Sequence, residues 1–317
     1  MTAALRDVLI LTGPTASGKT RLGIELAKHL GADIISMDSM ALYRGMDIGT
    51  AKPTAAERES VPHHLLDALE PWQSASVAWW LQRARECCQQ IRGRGRRILF
   101  VGGTPLYLKA LLRGLFEGPA GDRHLRARLE AEALECGAHT LHRRLAELDP
   151  STAQRVHPND VRRIIRALEV QELTGRPISE WQQQWQQQWG QESGGRSQGA
   201  GVGHYVPRAL WLDIPRRELY ARINQRVEAM FAAGLVDEVR RLQHLPQPLS
   251  KEAGQALGYK EVSAFLNGSA SLDETIGAVQ TRTRHFAKRQ ITWFRHLPEV
   301  QPATPELTEA LWKFTIA

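Results

Sequence analysis

What the sequence has little of narrows it first. Three cysteines in 317 residues, Cys87 and Cys88 adjacent and Cys136 alone, build no disulfide framework, and no Cys/His spacing suits a metal cage. A reducing, cytoplasmic setting fits that usage. No apolar run approaches the ~20 residues of a membrane span. Met1 to Arg6 lacks the basic-then-apolar pattern of an export signal, so an unexported protein with no membrane partner is expected. No repeat period or coiled-coil seam is present, which excludes solenoid and fibrous architectures. Acidic residues are missing altogether from Thr275 to Pro298. That stretch carries Arg282, Arg284, Lys288, Arg289 and Arg295 among Phe286, Trp293 and Phe294. With 41 Lys plus Arg against 34 Asp plus Glu the formal charge is +7, which favours an anionic partner such as nucleic acid. An acid-free basic run is either a solvated face or a phosphate-contacting surface, and the interleaved aromatics favour the second.

What is present begins with Gly13-Pro14-Thr15-Ala16-Ser17-Gly18-Lys19-Thr20. The apolar run Val8 to Leu11 precedes it, and the helical pattern Leu22, Ile24, Leu26, Ala27 follows. Strand, glycine loop and helix in that order make a phosphate-binding loop. Gly13 and Gly18 permit the tight path, successive N–H groups line a concavity, Lys19 supplies a point charge and Thr20 can ligate Mg²⁺. The loop predicts a bound di- or triphosphate.

Ala32 to Met37 reads as a second strand ending at Asp38-Ser39, where a carboxylate faces the ligand crevice of an open α/β sheet. Asp38 is a magnesium-sphere carboxylate, a general base or a helix cap. A Gly/Pro-punctuated loop, Ile48 to Pro53, and the segment Pro62 to Asp67 follow, with His63 and His64 read as structural. Ser76 to Ile91 is an amphipathic helix. Ile98 to Val101 is a central parallel strand ending in Gly102-Gly103-Thr104. That places Thr104 near Lys19 and Asp38, or as the cap of a helix through Leu106 and Leu112. From Asp122 to Gly190 only helical signals appear: Leu125 to Leu134, Leu141 to Leu148, Val161 to Leu173, and a last helix from Ser179 with Trp181, Trp185 and Trp189 at four-residue spacing. Tryptophans so spaced pack on a neighbouring helix or stack on nucleic acid. Glu192 to Gly203 is Gly/Ser-rich. Strand and helix return at Ala209 to Asp213 and Arg217 to Phe231, with Arg222 and Arg226 one turn apart. The fold class is α/β: a P-loop-type parallel sheet core, 1–118 with 207–317, interrupted by an all-helical inserted domain, 119–206.

Several segments together resemble the bacterial tRNA dimethylallyltransferase family, over almost the whole chain. They are GPTASGKT (Gly13 to Thr20), Asp38-Ser39 with Tyr43 and GMDIGTAKP (Gly45 to Pro53), PHHLLD (Pro62 to Asp67), and VGGTPLY (Val101 to Tyr107). HPNDVRRIIRALEV (His157 to Val170), the Arg222 to Arg226 helix, QALGYKE (Gln255 to Glu261) and AKRQITWFR (Ala287 to Arg295) complete the series. The resemblance implies transfer of a dimethylallyl group from its diphosphate to N6 of the adenosine 3′ of a tRNA anticodon. Asp38 matches the family's base, Arg226 its diphosphate arginine and Thr104 a residue at the bridging oxygen or flipped base. Gly13, Thr15, Ala16, Ser17, Gly18, Lys19 and Thr20 match the diphosphate loop, with Mg²⁺ on Thr20.

Contacts to the tRNA anticodon stem-loop are implied at Asp38, Ser39, Met40, Ala41, Thr104, Arg126, Arg162, Arg163, Ile164, Ile165, Arg166, Gln255, Ala256, Leu257, Gly258, Tyr259 and Lys260, joined by Arg282, Arg284 and Lys288 of the basic run. The insertion is expected to grip the anticodon stem, with Arg162 and Arg166 on one helix face, and the protein to be a monomer. Two departures stand out. Ala41 occupies a position where many relatives carry glutamine, and the Gln/Gly-rich stretch Gln182 to Gly203 is peculiar to this chain. The same loop also serves nucleotide kinases and ATPases, but no later strand ends in an obvious further catalytic carboxylate. An RNA-binding protein that merely senses nucleotide accounts for the charge and leaves Asp38 and Thr104 without a role.

Overall fold

The structure, a computed structural model, describes residues 8–115, 118–183 and 209–308. The chain forms two compact units, Met1–Leu112 with Gly201–Ala317, and Arg113–Ala200. In the first, β1 (Val8–Thr12) is buried along its whole length, as a run apolar on both faces must be in a parallel sheet. The loop then enters α1 (Lys19–Leu30), whose Leu22, Ile24, Leu26, Ala27 and Leu30 face the sheet. Gly31, left-handed at φ 61°, ends α1 by donating to the carbonyls of Ala27 and Lys28, and β2 (Ala32–Ser36) follows at once. A capping box of Thr54 and Glu57 starts α2 (Ala55–Ser60). After β3 (His63–His64) come α3 (Val77–Gly93), β4 (Arg97–Gly102) and α4 (Pro105–Arg113).

The second unit holds α5 (Arg123–Cys136), α6 (Ala138–Leu148), α7 (Pro150–Arg155), α8 (Val161–Thr174) and a further helical stretch, 178–183. The first unit resumes with β5 (Ala209–Leu212), α9 (Arg216–Ala232), α10 (Leu235–Gln243), α11 (Lys251–Gly254), α12 (Tyr259–Leu266), α13 (Leu272–Arg295) and β6 (Gln301–Ala303).

All six strands are parallel, in the order β3-β2-β4-β1-β5-β6. The expected α/β class with a parallel sheet is therefore what the chain adopts. β1 lies between β4 and β5, so the loops leaving β1, β4 and β2 open on one edge. Trp80 of α3 ties this layer together: its indole N–H donates to the Ser36 carbonyl at 3.1 Å and its ring stacks on Tyr107 of α4 at 4.3 Å. β3 and β6 carry no readable period, because two or three residues are too few to show one. His64 is structural, as expected: its Nε2 meets Asp33 Oδ2 at 3.0 Å beside Arg94 and Arg96. No described helix is long and apolar enough to cross a membrane.

The helical unit has its own core of Leu129, Leu141, Leu145, Ile164, Ile165 and Leu168. Ile164 and Ile165, expected as RNA contacts, turn inward on α8; side-chain contact from these two positions is corrected by the periodicity that exposes Arg162 and Arg163 instead. The shared cationic face is also corrected. Arg166 is held by Glu169, Nη1 to Oε2 at 2.5 Å, and donates to the Pro119 carbonyl at 2.9 Å. Arg126 forks onto the same carboxylate at 2.8 and 2.9 Å. Glu169 is fully buried, and the Asp122 N–H also donates to it at 2.8 Å. Burial alone pushes its pKa up; the two arginines and the N–H outweigh that and hold it below the usual range. Trp181 packs on this core with the Arg176 guanidinium 5.2 Å from its ring centroid. Trp185, Trp189 and the Gly/Ser-rich stretch lie outside the described residues.

One carboxylate thus joins the entry to α5 with the middle of α8. Glu169→Ala leaves two arginines and the Asp122 N–H without their buried acceptor, a loss of roughly 2 kcal/mol, below the figure for fully buried pairs because both arginines reach solvent. Hydrogen exchange in α5 and α8 rises while that in β1 and β4 stays unchanged; uniform protection across both units contradicts this.

Candidate active site

The site is built where β1, β4 and β2 end. Close approach of the backbones comes first. A Cβ on Gly102 would lie 2.2 Å from the Met37 carbonyl oxygen, so only glycine lets the end of β4 run against β2 here. Thr12 Oγ1 donates to the Gly102 carbonyl at 2.7 Å from the other side, and the Thr104 N–H donates to the Met37 carbonyl at 3.2 Å. These contacts bring the phosphate loop, Asp38 and Thr104 to one place.

The loop itself folds by alternating backbone handedness. Ala16 is left-handed at φ 63° and Gly18 at φ 88°, and Ser17 N–H turns back to the Pro14 carbonyl at 3.2 Å. Strained residues of this kind curl successive N–H groups into a concavity. α1 starts at Lys19 without a side-chain cap, so the N–H groups of its first turn keep no intrahelical partner. Ser17 Oγ is buried and has no hydrogen-bond partner among the described residues. Lys19 Nζ donates to the Pro14 carbonyl at 3.2 Å. Its enclosure lowers its pKa, the nearby Arg226 guanidinium lowers it further and Asp38 opposes both, leaving it at about 8. Arg226 is itself lowered by burial, with Asp38 again acting the other way. Two cations and one carboxylate, each half-buried, therefore interact at one place.

Asp38 is not a helix cap. The next helix begins only at Ala55; Oδ1 accepts from the N–H groups of Met40 at 2.9 Å and Ala41 at 3.4 Å, closing a turn and leaving Oδ2 as its second acceptor. Thr104 faces the same turn, since its Oγ1 accepts from the Ser39 N–H at 3.0 Å. Arg222, one turn before Arg226 on α9, reaches the Ser17 carbonyl at 3.5 Å and pairs with Glu218.

The remaining sequence-predicted positions divide by burial. Met40 and Ser39 are half-buried at the turn, while Ala41 is buried. On the segment leading into the first turn of α12, Gln255 and Lys260 are exposed and bonded to each other at 3.3 Å; Ala256, Gly258 and Tyr259 are buried and Leu257 is half-buried. Side-chain contact to RNA is thus corrected at Ala41, Ala256 and Tyr259, whose side chains are in the core. The acid-free run is the C-terminal part of α13. Along it Lys288 and Arg289 are exposed, Arg284 Nη1 donates to Asn224 Oδ1 at 2.6 Å, and Arg282 pairs with Glu261.

Two residues had no signal in the sequence. Glu238, buried on α10, accepts from the N–H groups of Asp47, Ile48 and Gly49 at 2.9 to 3.2 Å and from the Tyr259 hydroxyl at 2.6 Å. It pins the loop whose Thr50 carbonyl faces Arg226 at 3.5 Å. The other is Gln290 of α13, which bonds Thr15 N–H and the Gly103 carbonyl.

Comparison with known proteins identifies the family. Residues 41–297 match the IPP transferase family and residues 6–69 the isopentenyl transferase family. The chain is 44% identical over 297 residues to tRNA dimethylallyltransferase 1 of Pelobacter propionicus, covering 94% of this chain and 92% of that one. It is 47% identical over 295 residues to tRNA dimethylallyltransferase 1 of Trichlorobacter lovleyi, covering 93% and 92%. Among solved structures, the full-length tRNA isopentenylpyrophosphate transferase of Bacillus halodurans superposes with a TM-score of 0.64 at 38% identity, over 95% of this chain and 90% of that one. A eukaryotic dimethylallyltransferase acting on tRNA gives a TM-score of 0.70 at 26% identity, over 94% and 74%. The chain belongs to the IPP transferase family.

Proposed function

We propose that this chain transfers a dimethylallyl group from dimethylallyl diphosphate to N6 of the adenosine 3′-adjacent to the anticodon of tRNA, releasing diphosphate. The observation that carries the reading is the meeting of Lys19, Arg226 and Asp38 over an anion-binding loop, with Thr104 beside them. The free N–H groups at the start of α1 and the orphaned Ser17 Oγ are a hydrogen-bonding set that a diphosphate satisfies. As the C–O bond to the diphosphate breaks, charge grows on the departing oxygen, and Lys19 and Arg226 stabilise that charge more than the ground state. The adenine amino nitrogen is a poor nucleophile because its lone pair is delocalised. As it bonds to the prenyl carbon its proton passes to Asp38, whose Oδ1 is fixed by Met40 and Ala41 and whose Oδ2 is the acceptor. In this reading Thr104, beside the Asp38 turn, serves the bridging oxygen or the flipped base. N6 is stacked and paired in a helix, so the nucleotide enters extrahelically.

Thr20, half-buried on the first turn of α1, suits Mg²⁺, which takes hydroxyl, phosphate and water oxygens. No cluster of three or more His, Cys, Asp or Glu for a protein-built cage exists among the described residues. When bound, Mg²⁺ shields the diphosphate's charge. The exposed Arg162 and Arg163 of the helical unit, with Lys288 and Arg289 on α13, offer cations to the RNA backbone. The reading places the protein with its tRNA in the cytoplasm as a monomer. A kinase or ATPase reading is separated by incubating the protein with ATP or with dimethylallyl diphosphate, with and without tRNA. Pyrophosphate and prenylated adenosine appear only with the prenyl donor and tRNA together; phosphate release from ATP overturns the reading.

Two variants test the roles. Asp38→Asn keeps an Oδ1 acceptor for the turn, so fold and tRNA affinity persist while single-turnover rate falls roughly 10²- to 10⁴-fold. A near-normal rate removes Asp38 as the base.

Lys19 predicts a pH dependence with a fixed sign. A bound diphosphate favours the ammonium and raises its pKa above the free value of about 8, so binding takes up a proton once pH exceeds that value. The ratio of wild-type to Lys19→Ala pyrophosphate affinity, in which the ligand's own ionisation cancels, exceeds one and is flat below pH 7, and it falls by up to roughly tenfold per unit above pH 8. A ratio that stays constant with pH assigns the wild-type slope to another group.

A further inference from the structure

α13 buries one side within the first unit, through Thr275, Val279, Thr283, Ala287, Gln290 and Phe294. Gln290 is 2% exposed, the one full amide on that stripe, and burying an amide in a core is costly unless its donor and acceptor are both satisfied. Both are. Oε1 accepts from the Thr15 N–H at 2.9 Å, and Nε2 donates to the Gly103 carbonyl at 2.6 Å. The first partner belongs to the phosphate loop; the second precedes Thr104, whose hydroxyl holds Ser39 next to Asp38. A Cβ on Gly103 would lie 2.6 Å from Gln290 Nε2, 2.9 Å from the Gly13 carbonyl and 3.3 Å from Lys19 Nζ, so the amide, the loop and the lysine converge on one glycine.

We propose that Gln290 is a positioning residue: its amide locks the diphosphate loop to the end of β4, so that leaving group and acceptor base are held in register. The inference rests on the reading of Gly13 to Thr20 as the diphosphate loop. Taking the Thr15 N–H out of the concavity fixes the path into Ala16, which sits in the left-handed region at φ 63° and has no glycine's freedom to be there unaided. The N–H groups that follow are then aimed before the anion arrives. Only a side chain with a donor and an acceptor side by side makes both bonds. A leucine makes neither, and an ionised glutamate sets an oxygen against the Gly103 carbonyl.

Gln290→Leu and the near-isosteric Gln290→Glu are compared with wild type and Lys19→Ala at pH 7. The probe is inorganic pyrophosphate, titrated calorimetrically, and the enzyme assay yields separate KM values for dimethylallyl diphosphate and tRNA. Losing a buried hydrogen-bond partner from a binding loop raises the pyrophosphate Kd and the dimethylallyl diphosphate KM roughly tenfold in both variants, with tRNA KM unchanged. A purely packing role lowers kcat through a smaller folded fraction and leaves both KM values alone. The proposal is overturned if the variants bind pyrophosphate as wild type does while Lys19→Ala does not. It is also overturned if tRNA and pyrophosphate affinities fall together, which assigns Gln290 to folding. Lys19→Ala binding pyrophosphate normally sinks the loop reading itself, and the inference with it.

Discussion

The reacting groups depend on one constraint, the approach of the end of β4 to its two neighbours. Parallel strands sit at a spacing fixed by their hydrogen bonds, yet beyond the last bonded pair nothing obliges the exiting loops to stay together. Here they do, because Gly102 has no Cβ to strike the Met37 carbonyl and the Thr12 hydroxyl bonds the Gly102 carbonyl. Asp38 follows Met37, Thr104 follows Gly103, and the phosphate loop follows Thr12. An alanine at position 102 would separate the proposed base from the proposed leaving-group cradle without touching either.

Bringing them together has an electrostatic consequence. Burial lowers the pKa of Lys19 most, repulsion from Arg226 lowers it further, and Asp38 offsets only part of that, which is why the lysine is more acidic than a free one. The pocket is thus poised for a polyanion, whose arrival relieves the repulsion. It is equally a reason for rigid support, since a mobile arginine would swing away from the lysine. Glu238 provides support on the Arg226 side, gathering three backbone N–H groups of the 47–49 segment and the Tyr259 hydroxyl into one carboxylate. Lys52, buried among Asp47, Asp67 and the Tyr43 carbonyl, ties down the far end of the same loop.

Much of this was legible in the sequence because it is local. A phosphate loop is eight consecutive residues whose glycines and lysine have fixed jobs, and Val8 to Leu11 reads as a buried strand from composition alone. Asp38 and Thr104 were legible one step further out, as polar residues at the ends of apolar runs. What was not legible is long-range. Gln290 lies 275 residues from Thr15, and nothing in a glutamine on a basic helix announces two backbone partners. Glu238 looks like any acid in the first turn of a helix, where an acid needs no further reason to be. Residues 162–166, named as RNA contacts through the family resemblance, divide for another reason: a contiguous span does not separate the faces of a helix, and Ile164 and Ile165 are buried between the arginines.

The buried polar residues share a logic that separates them from the apolar core. Leu9, Leu99 and Leu210 hold the sheet to its helices through contacts that tolerate small displacements, since dispersion and hydrophobic burial have no preferred direction. Gln290, Glu238 and Glu169 each make at least two directed bonds to segments far apart in sequence, and a displacement of about 1 Å breaks such bonds. Each is used where a loop or irregular segment, which brings little apolar area of its own, has to be held in one conformation: the phosphate loop, the 47–50 segment facing Arg226, and the lead into α5. Hydrophobic burial makes the layers, and a few saturated polar side chains then fix the loops that must hold charge against a reacting bond.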